Sequence, residues 1–475
     1  MKNMNEQIKI SRLTNTNTLV IAFFCLIFGL ISFIIRFYLN FSQELIPGVN
    51  GGYYPLQVRT LLAFGYLGFS DMPLLFYLNA MIIKIISLFG FAITDALILH
   101  VVKFTDSISI PLIVFPLFKM IRINTMSLPK SISLSIIGFS ILSFNPLLLN
   151  SDLQKNSLAI LFLMGFIAFA SSFQQNKKRI SIFLSTLFLI LTGLTHFGTF
   201  SFALFYLFLT MVFLYRKKAV IPVLLIFTLG IMLIGIFDSS RFFRIFTFGL
   251  ELFDKPALIY GALMPPDFIL VLFSYILAVI GIITLRKKGG LMSNNQKAVL
   301  FSSIVCLLVL SFPLFGSEYF KRLSLFLFIP QIILMLTLAQ FLKLGTLKTM
   351  AITFLTITLL SVLAIFGHPK EVVIDHEAYL NLKNLNSIIS SDDKTIVIAR
   401  HGLEWWTAWA LKTKVAQDKA VDYNLLMNYN NIYFLNQKKG FNSGHERTLF
   451  HEPTFPENAG LIYSSDYFNV YKWKK

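Results

Sequence analysis

Long apolar runs occupy most of the first 367 residues and limit what this chain can fold into. A helix needs about 20 apolar residues to cross a bilayer. Eleven runs approach or exceed that length, at residues 18–40, 96–119, 131–149, 153–173, 180–196, 199–215, 219–237, 267–285, 298–315, 323–342 and 349–367. A further run, 73–90, is shorter and begins at Pro73, so we expect an interfacial helix there. The sequence predicts an all-α polytopic membrane protein, with the lipid bilayer as its main solvent.

The basic residues are distributed unevenly between the predicted loops. The net charge is +18, yet one set of alternate loops holds 18 Lys and Arg residues with a single acid, Glu6. Lys and Arg concentrate in cytoplasmic loops. We therefore predict a multi-pass protein of the inner (plasma) membrane with a cytoplasmic N-terminus and an extracytoplasmic C-terminus. Because the excess charge lies in short loops between apolar runs, it does not indicate nucleic-acid binding.

The last part of the chain has a different composition, which predicts three regions: a cytoplasmic N-terminus (1–17), a transmembrane domain (18–367) and an extracytoplasmic α/β domain (368–475). Segments 394–400, 431–437 and 467–473 read as strands, and 403–413 as an amphipathic helix. That helix carries three of the four tryptophans. Trp405 and Trp409 share a face, whereas Trp406 points elsewhere and is a candidate for contact with the membrane interface or a sugar.

Polar residues with reactive side chains gather on the predicted outer side. They are Glu44, Asn50, Tyr54, Arg59 and Asp71 in the first outer loop (41–95), Asp152 and Lys155 in the second, His196 at the outer end of its span, and Lys321 and Arg322 at the start of the tenth span.

Several of these residues have a structural alternative. Asp152 is also a helix N-cap candidate, and Lys155 either pairs with it at i,i+3 or holds an anion at a helix N-terminus. A lone histidine such as His196 is more often structural. Asp106 and Lys103, inside a predicted span, are expected to pair with each other. Together, however, the carboxylates and cations at one face have the chemistry for proton removal and for binding a phosphate.

The sequence shows no Gly-rich nucleotide loop, Walker motif or HExxH motif. We therefore expect no cofactor, and no motif indicates a metal site. The two cysteines, Cys25 and Cys306, lie inside apolar runs and are interpreted as inert packing residues.

Four segments resemble the GT-C superfamily of membrane glycosyltransferases: GVNGGYYPLQVRTLLAFGYLGFSDMPLLFYLNAMIIKI (48–86), SDLQKN (151–156), LTHFG (194–198) and EYFKRLSLFLFIP (318–330). The resemblance covers about residues 18–370 and is closest to bacterial enzymes that take sugar from a polyprenyl-phosphate carrier. It implies an inverting cell-envelope glycosyltransferase whose acceptor is a lipid-linked glycan or a protein.

The resemblance also suggests roles for the outer residues. An acid usually serves in catalysis where this chain has Asn50, so the base would be Asp152, Glu44 or Asp71, in that order. Substrate contacts would come from Asn50, Tyr54, Arg59, Lys155, His196, Lys321 and Arg322.

A glycan polymerase or ligase, with similar requirements, is a related enzymatic alternative. Two alternatives of other kinds also remain open from the sequence. The first is a catalytically weakened relative, which Asn50 favours. The second is a glycan or lipid transporter, which should show repeated halves and polar sites near the midplane of the membrane. The sequence shows no repeat, and Lys103 and Asp106 are its main midplane candidates.

Overall fold

Helices make up most of the structure, a computed structural model that describes residues 2–124, 129–215, 217–237, 251–259, 265–418, 426–438 and 458–473. The helices of the membrane part are α1 Lys2–Phe41, α2 Tyr53–Phe64, α3 Leu74–Leu88, α4 Asp95–Ser109, α5 Val114–Asn124, α6 Lys130–Leu142, α7 Phe144–Leu148, α8 Gln154–Asn176, α9 Arg179–Thr195, α10 Phe197–Tyr215, α11 Lys217–Phe237, α12 Pro265–Lys288, α13 Asn294–Leu310, α14 Ser317–Ser324, α15 Phe328–Leu338 and α16 Leu344–Gly367. The predicted fold class is confirmed: a polytopic helical membrane protein with a small C-terminal sheet domain.

Seven helical segments of the described chain are long and apolar enough to cross a membrane. They are Thr18–Phe41, Asp95–Ile123, Lys130–Leu148, Ser151–Asn176, Phe197–Tyr215, Asp267–Leu291 and Leu344–Gly367. An eighth forms if α14 and α15, which meet at a bend of 45°, are taken as one broken span. The other predicted spans coincide with α9, α11 and α13, of which α9 and α13 have only 17 residues. The total of eleven spans stays a prediction.

The surface of α1 shows how the helices meet lipid. Leu19, Phe23, Leu26 and Leu30 are each at least 59% exposed. Contiguous exposed apolar patches are rare on soluble monomers, whereas on a membrane helix they face acyl chains. Both cysteines are buried, as the sequence predicted.

A buried ion pair fastens the membrane helices at the level where the short loop between α7 and α8 begins. Arg36 of α1 donates to Asp106 Oδ1 of α4 at 2.9 Å, and both side chains are fully buried. Asn40 donates to Asp106 Oδ2 (2.8 Å), which also accepts from the backbone amide of Ser151 (2.7 Å). Arg36 donates further to the carbonyls of Pro146 and Leu149. The network therefore fixes the loop that leads to Asp152.

The predicted pairing of Lys103 with Asp106 is wrong. Lys103 Nζ instead donates to the carbonyls of Gln43 and Glu44, at 2.6 and 2.7 Å. Arg36 takes the carboxylate because its planar guanidinium reaches several acceptors at once. Lys103 therefore holds the first outer loop, and Asp106 holds the second outer loop, before α8.

The C-terminal segment contains α17 His376–Asn384, α18 Leu403–Leu411 and five strands, β1 Thr395–Ala399, β2 Lys414–Gln417, β3 Asn431–Gln437, β4 Ala459–Ser464 and β5 Phe468–Trp473. The strands form one sheet in the order β2-β1-β3-β5-β4. Strand β1 is parallel to β2 and β3, and β5 is antiparallel to β3 and β4. The predicted strand–helix–strand order matches β1, α18, β3 and β5.

One hydrophobic core joins the C-terminal domain to the first loop. Tyr54 of α2 and Leu75 of α3 belong to the same buried cluster as Val397 of β1 and Trp406 of α18. Trp406 is fully buried, so the prediction that it faces a sugar or the membrane interface is wrong. The domain is therefore fixed against the segment that carries the candidate site.

Candidate functional site

Three chain segments meet around the Asp152 carboxylate. The first is the turn at residues 47–52, where Gly48 has φ +86° and approaches so closely that a Cβ would lie 2.4 Å from Asp152 Cγ. The second is the short loop before α8, which carries Asp152 itself. The third follows α16, where Lys370 donates to Asp152 Oδ1 and the carbonyl of Glu371 accepts from the amide of Gly48 (2.8 Å). Only glycine combines this positive φ with so close an approach.

All three hydrogen-bond donors of the Lys370 ammonium are occupied. Besides Asp152 Oδ1, it donates to the carbonyls of Leu148 (2.7 Å) and Asn150 (2.8 Å). An ammonium has three donors, so Lys370 orients Asp152 and leaves none for a ligand. Asp152 does not cap a helix, because the 3₁₀ turn Ser151–Leu153 and α8 both begin without a side-chain cap. Its side chain remains 18% exposed.

A second carboxylate, Asp71, lies buried against α2 and α8. Asp71 Oδ2 accepts from Tyr53 Oη at 2.5 Å and forms an ion pair with Lys155 Nζ. Asp71 Oδ1 accepts from the amide of Met72 at 2.8 Å. Its side chain is only 2% exposed. Of the two roles that the sequence left open for Lys155, the i,i+3 pairing with Asp152 is therefore wrong. Asp71 does not cap α3, which begins without a side-chain cap.

The two tyrosines at the start of α2 link these carboxylates. Tyr54 Oη donates to the backbone carbonyl of Asp152 at 3.0 Å, while Tyr53 donates to Asp71. Burial raises the pKa of the Tyr53 phenol well above its usual range, and the charge of Asp71 raises it further. Tyr53 is therefore a neutral donor at physiological pH, and it holds Asp71 in the orientation that meets Lys155.

An aromatic surface extends from Tyr53 onto the C-terminal domain. The Trp405 ring lies edge-on to Tyr53 and Phe69, with ring centroids 5.0 and 4.9 Å apart. Beside it, His401 Nδ1 is 2.9 Å from Oε1 of the buried Glu404. Burial raises the pKa of Glu404, and the bond with His401 opposes that shift. Of the three tryptophans on α18, Trp405 is the half-buried one that meets the first loop.

Two other candidates of the first loop contact the C-terminal domain. Glu44 pairs with His376, and both side chains are about half exposed. Arg59 donates to the carbonyls of Ala408 (2.8 Å) and Trp409 (2.7 Å), and its guanidinium stacks on the Trp409 ring. Arg59 thus satisfies the carbonyls at the end of α18. Asn50 is half-buried in the Gly-rich turn, two residues after Gly48.

The remaining predicted residues lie on α10 and α14. His196 Nδ1 accepts from the amide of Thr199 at 3.2 Å, so it caps α10. Arg322 pairs with Glu318 at i,i+4, and both are more than 60% exposed; Lys321 is half-buried. Asn145 of α7 donates to the carbonyl of Ser324 at 2.6 Å. The bent helix pair therefore contacts α7, the helix that precedes the loop with Asp152.

Sequence reasoning missed Arg36, Lys370 and the His401–Glu404 pair. Arg36 offered a signal, because a cation within an apolar span needs a buried partner. Lys370 offered none, since it contacts Asp152 across 218 positions. Among the described residues, no group of three or more His, Cys, Asp or Glu side chains is placed to hold a metal ion.

No family model and no curated protein matches the sequence, but solved structures match the fold. The archaeal oligosaccharyltransferase AglB from Archaeoglobus fulgidus, in complex with an inhibitory peptide and a dolichol-phosphate, aligns with a TM-score of 0.58 and 11% identity over 86% of this chain and 69% of its own. ArnT from Cupriavidus metallidurans, bound to undecaprenyl phosphate, aligns with a TM-score of 0.53 and 10% identity over 94% of this chain and 97% of its own.

Both proteins are GT-C glycosyltransferases. The predicted resemblance is therefore confirmed for the fold: this chain folds like these two proteins. At 10–11% sequence identity, the match establishes the fold but not the chemistry, which depends on the residues of the site.

Proposed function

We propose that this protein is an inverting glycosyltransferase that moves a sugar from a polyprenyl-phosphate donor to a lipid-linked glycan or a protein in the bacterial cell envelope. The acceptor hydroxyl attacks the anomeric carbon and a new C–O bond forms on the opposite face of the sugar. The bond between that carbon and the phosphate oxygen breaks, and the polyprenyl phosphate leaves with the electron pair. The hydroxyl proton passes to a carboxylate of the protein.

The observation that carries this proposal is the environment of Asp152. Lys370 holds one carboxylate oxygen, while Oδ2 has no hydrogen-bond donor among the described residues and the side chain keeps 18% exposure. Asp71, by contrast, has both oxygens bonded and is almost completely buried. Glu44 is half exposed to solvent on His376. A base must be both oriented and reachable, so we assign this role to Asp152.

Cations are required where the leaving phosphate gains charge. Lys155 lies in the first turn of α8, three residues after Asp152. Arg322 lies two residues before Ser324, whose carbonyl accepts from Asn145. Arg322 uses one of its donors on Glu318 and is exposed, so it can bind a phosphate in bidentate fashion. We assign donor phosphate binding to Lys155 and Arg322, with Lys321 beside them. Arg59 and His196 are assigned structural roles in this proposal.

The acceptor is proposed to bind along the aromatic surface formed by Tyr53, Phe69 and Trp405. Aromatic rings offer a large apolar surface, and Tyr and Trp add a polar O–H or N–H group, which suits a sugar ring or a peptide. Because Trp405 belongs to α18, the C-terminal domain would contribute to acceptor binding. The same domain is packed on the Gly-rich turn, so acceptor and base would be held by one rigid unit.

The proposed reaction requires the site to face the extracytoplasmic side. The uneven distribution of Lys and Arg supports this orientation, with a cytoplasmic N-terminus in the inner membrane. Reporter fusions after residue 370 should then be extracytoplasmic, and fusions within the loop before α6 should be cytoplasmic. A cytoplasmic C-terminus would contradict the proposal.

The carboxylate variants test the assignment of the base. Purified wild type, Asp152→Asn and Glu44→Gln are compared in a sugar-transfer assay with a panel of radiolabelled polyprenyl-phosphate sugars. Loss of a general base typically lowers the rate by ~10²–10⁴-fold, so Asp152→Asn should fall in that range while Glu44→Gln remains near wild type. Full activity of Asp152→Asn would remove it as the base.

A second candidate function, a catalytically weakened relative, is favoured by Asn50. An amide cannot remove a proton, and Asn50 occupies a half-buried position in the Gly-rich turn beside Asp152. In this alternative Asn50→Asp should raise transfer strongly. In the preferred proposal the same change should have little effect or lower the rate, because a second carboxylate in the turn that contacts Asp152 through Gly48 disfavours the charged form of Asp152.

A further inference from the structure

A basic cavity lies at the other end of α8 from the candidate site. Its volume is about 470 Å³, and it is lined by Phe118, Lys119, Arg122, Ile123, Asn176 and Lys178. From Lys155 to Asn176 the helix advances by about 32 Å at 1.5 Å per residue. The cavity is thus close to the opposite membrane surface and separate from the residues proposed for sugar transfer.

Three of the six lining residues are cations contributed by two separate segments. Lys119 and Arg122 come from the last turns of α5, and Lys178 from the connection between α8 and α9. In the part of the chain that the structure describes, none of the three forms an ion pair, and the cavity lining contains no acid. Like charges repel at short range, so an arrangement of this kind favours a bound anion.

The turn that presents Lys178 is fixed by its own hydrogen bonds. Asn176 Oδ1 accepts from the amide of Lys178 at 3.0 Å, and Asn176 Nδ2 donates to Ser172 Oγ at 3.1 Å. Lys177 has φ +54°, and its amide donates to the carbonyl of Phe173 at 2.9 Å. The backbone therefore directs Lys178 to the cavity without requiring a side-chain ion pair.

The cavity also has an apolar side. Phe118 and Ile123 line it, and the ammonium of Lys119 lies 4.2 Å from the centroid of the Phe169 ring. A soluble anion such as inorganic phosphate has no apolar part to place there. A phospholipid offers both a phosphate and the adjoining acyl chains, and basic pockets between membrane helices bind such headgroups.

We infer that this cavity binds the phosphate group of an anionic membrane lipid, with Lys119, Arg122 and Lys178 as its ligands. The proposal is independent of sugar transfer, because none of these residues belongs to the candidate site. The lipid would join the end of α5 to the turn after α8, and so stabilise the contact between these two helices, of which α8 also carries Lys155 of the candidate site.

Binding is measured on the purified full-length chain by titrating short-chain phosphatidylglycerol, with phosphatidylcholine and inorganic phosphate as parallel probes, and counting bound lipid by native mass spectrometry. Phosphatidylglycerol should bind with clear preference. The triple variant K119Q/R122Q/K178Q should bind it about 100-fold more weakly, because each lost cation weakens binding roughly fivefold and the three factors multiply. The single variant Arg122→Gln, which changes only an exposed side chain, serves if the triple variant does not fold, and should bind roughly fivefold more weakly.

The matched control is R286Q/K287Q/K288Q, which removes three exposed cations from the last turn of α12. It should retain phosphatidylglycerol binding. Equal losses in the control and the cavity variant would show general charge attraction and overturn the assigned site. Equal binding of phosphatidylcholine would exclude an anion site. Binding of inorganic phosphate at the same concentration as phosphatidylglycerol would exclude the lipid as the specific ligand.

Discussion

Replacing Asp71 with asparagine leaves the ammonium of Lys155 buried without its carboxylate. The two side chains are only 2% and 10% exposed, so solvent cannot replace the lost charge. Breaking a buried ion pair by removing one partner costs about 3–5 kcal/mol. The single oxygen of asparagine can still accept from the amide of Met72, but the position that faces Tyr53 and Lys155 becomes an NH2 donor. We therefore expect the loss for Asp71→Asn to lie within that range.

The double variant Asp71→Asn/Lys155→Gln separates stability from function. It leaves no charge buried, so its unfolding free energy should recover most of the loss seen in either single variant. Sugar transfer should nevertheless stay low, because Lys155 is proposed to bind the donor phosphate. Stability is measured by SDS-induced unfolding in detergent, and transfer at equal amounts of folded protein.

The exposed pair of Glu318 and Arg322 provides the control for this reasoning. Both side chains are more than 60% exposed, and exposed ion pairs contribute ~0–1 kcal/mol. Glu318→Gln should therefore leave stability almost unchanged. If the double variant at 71 and 155 is no more stable than the weaker single variant, an unpaired buried charge is not the cause of the loss.

Three further predictions concern the contact between the C-terminal domain and the first loop. Gly52→Ala places a Cβ 2.9 Å from the Trp406 ring and should lower the unfolding free energy by about 1–3 kcal/mol. Gly345→Ala, whose Cβ would have nothing within 4 Å, should not lower it, and thermal unfolding compares the two variants. Arg59→Ala should lower stability by about 1.5–3 kcal/mol through its lost charged hydrogen bonds, and limited proteolysis should then release the C-terminal domain faster than in Arg322→Ala. Burial raises the pKa of Glu404 in the folded protein. The stability that its protonated form contributes is therefore present below the unfolded pKa of about 4.3 and is lost as pH rises through the folded pKa. Glu404→Gln should lose less stability across that pH range, which a pH series of unfolding titrations measures.

The fold was predictable because its signals are local. Apolar runs mark the helices, and the short run rich in apolar and aromatic residues at 431–437 predicts β3 with the bounds that the structure has. Strands β2 and β4 were missed because one has only four residues and the other is a mostly exposed edge strand without alternation. Helices α9 and α13, with 17 residues each, show why the number of spans does not follow from length alone.

The contacts of the candidate residues could not be predicted. The sequence singled out Asp152, Asp71 and Lys155, but it suggests pairs at i,i+3, whereas the structure forms pairs across 84 and 218 positions. Partners distant in sequence replace the i,i+3 neighbours where the protein interior supplies several hydrogen bonds to one charge, as it does for Asp106 and Lys370. Such convergence depends on packing and leaves no trace in one sequence.

The fate of the two halves of the donor tests the central claim most directly. Purified wild-type protein in excess is mixed with a polyprenyl-phosphate sugar that carries ³²P in the phosphate and ¹⁴C in the sugar, together with the acceptor. The proposed mechanism predicts that ¹⁴C moves to the acceptor while ³²P stays on the polyprenyl lipid, and that Asp152→Asn slows this step by ~10²–10⁴-fold. Movement of both labels together, or no movement of ¹⁴C with any donor and acceptor of these classes, would contradict it.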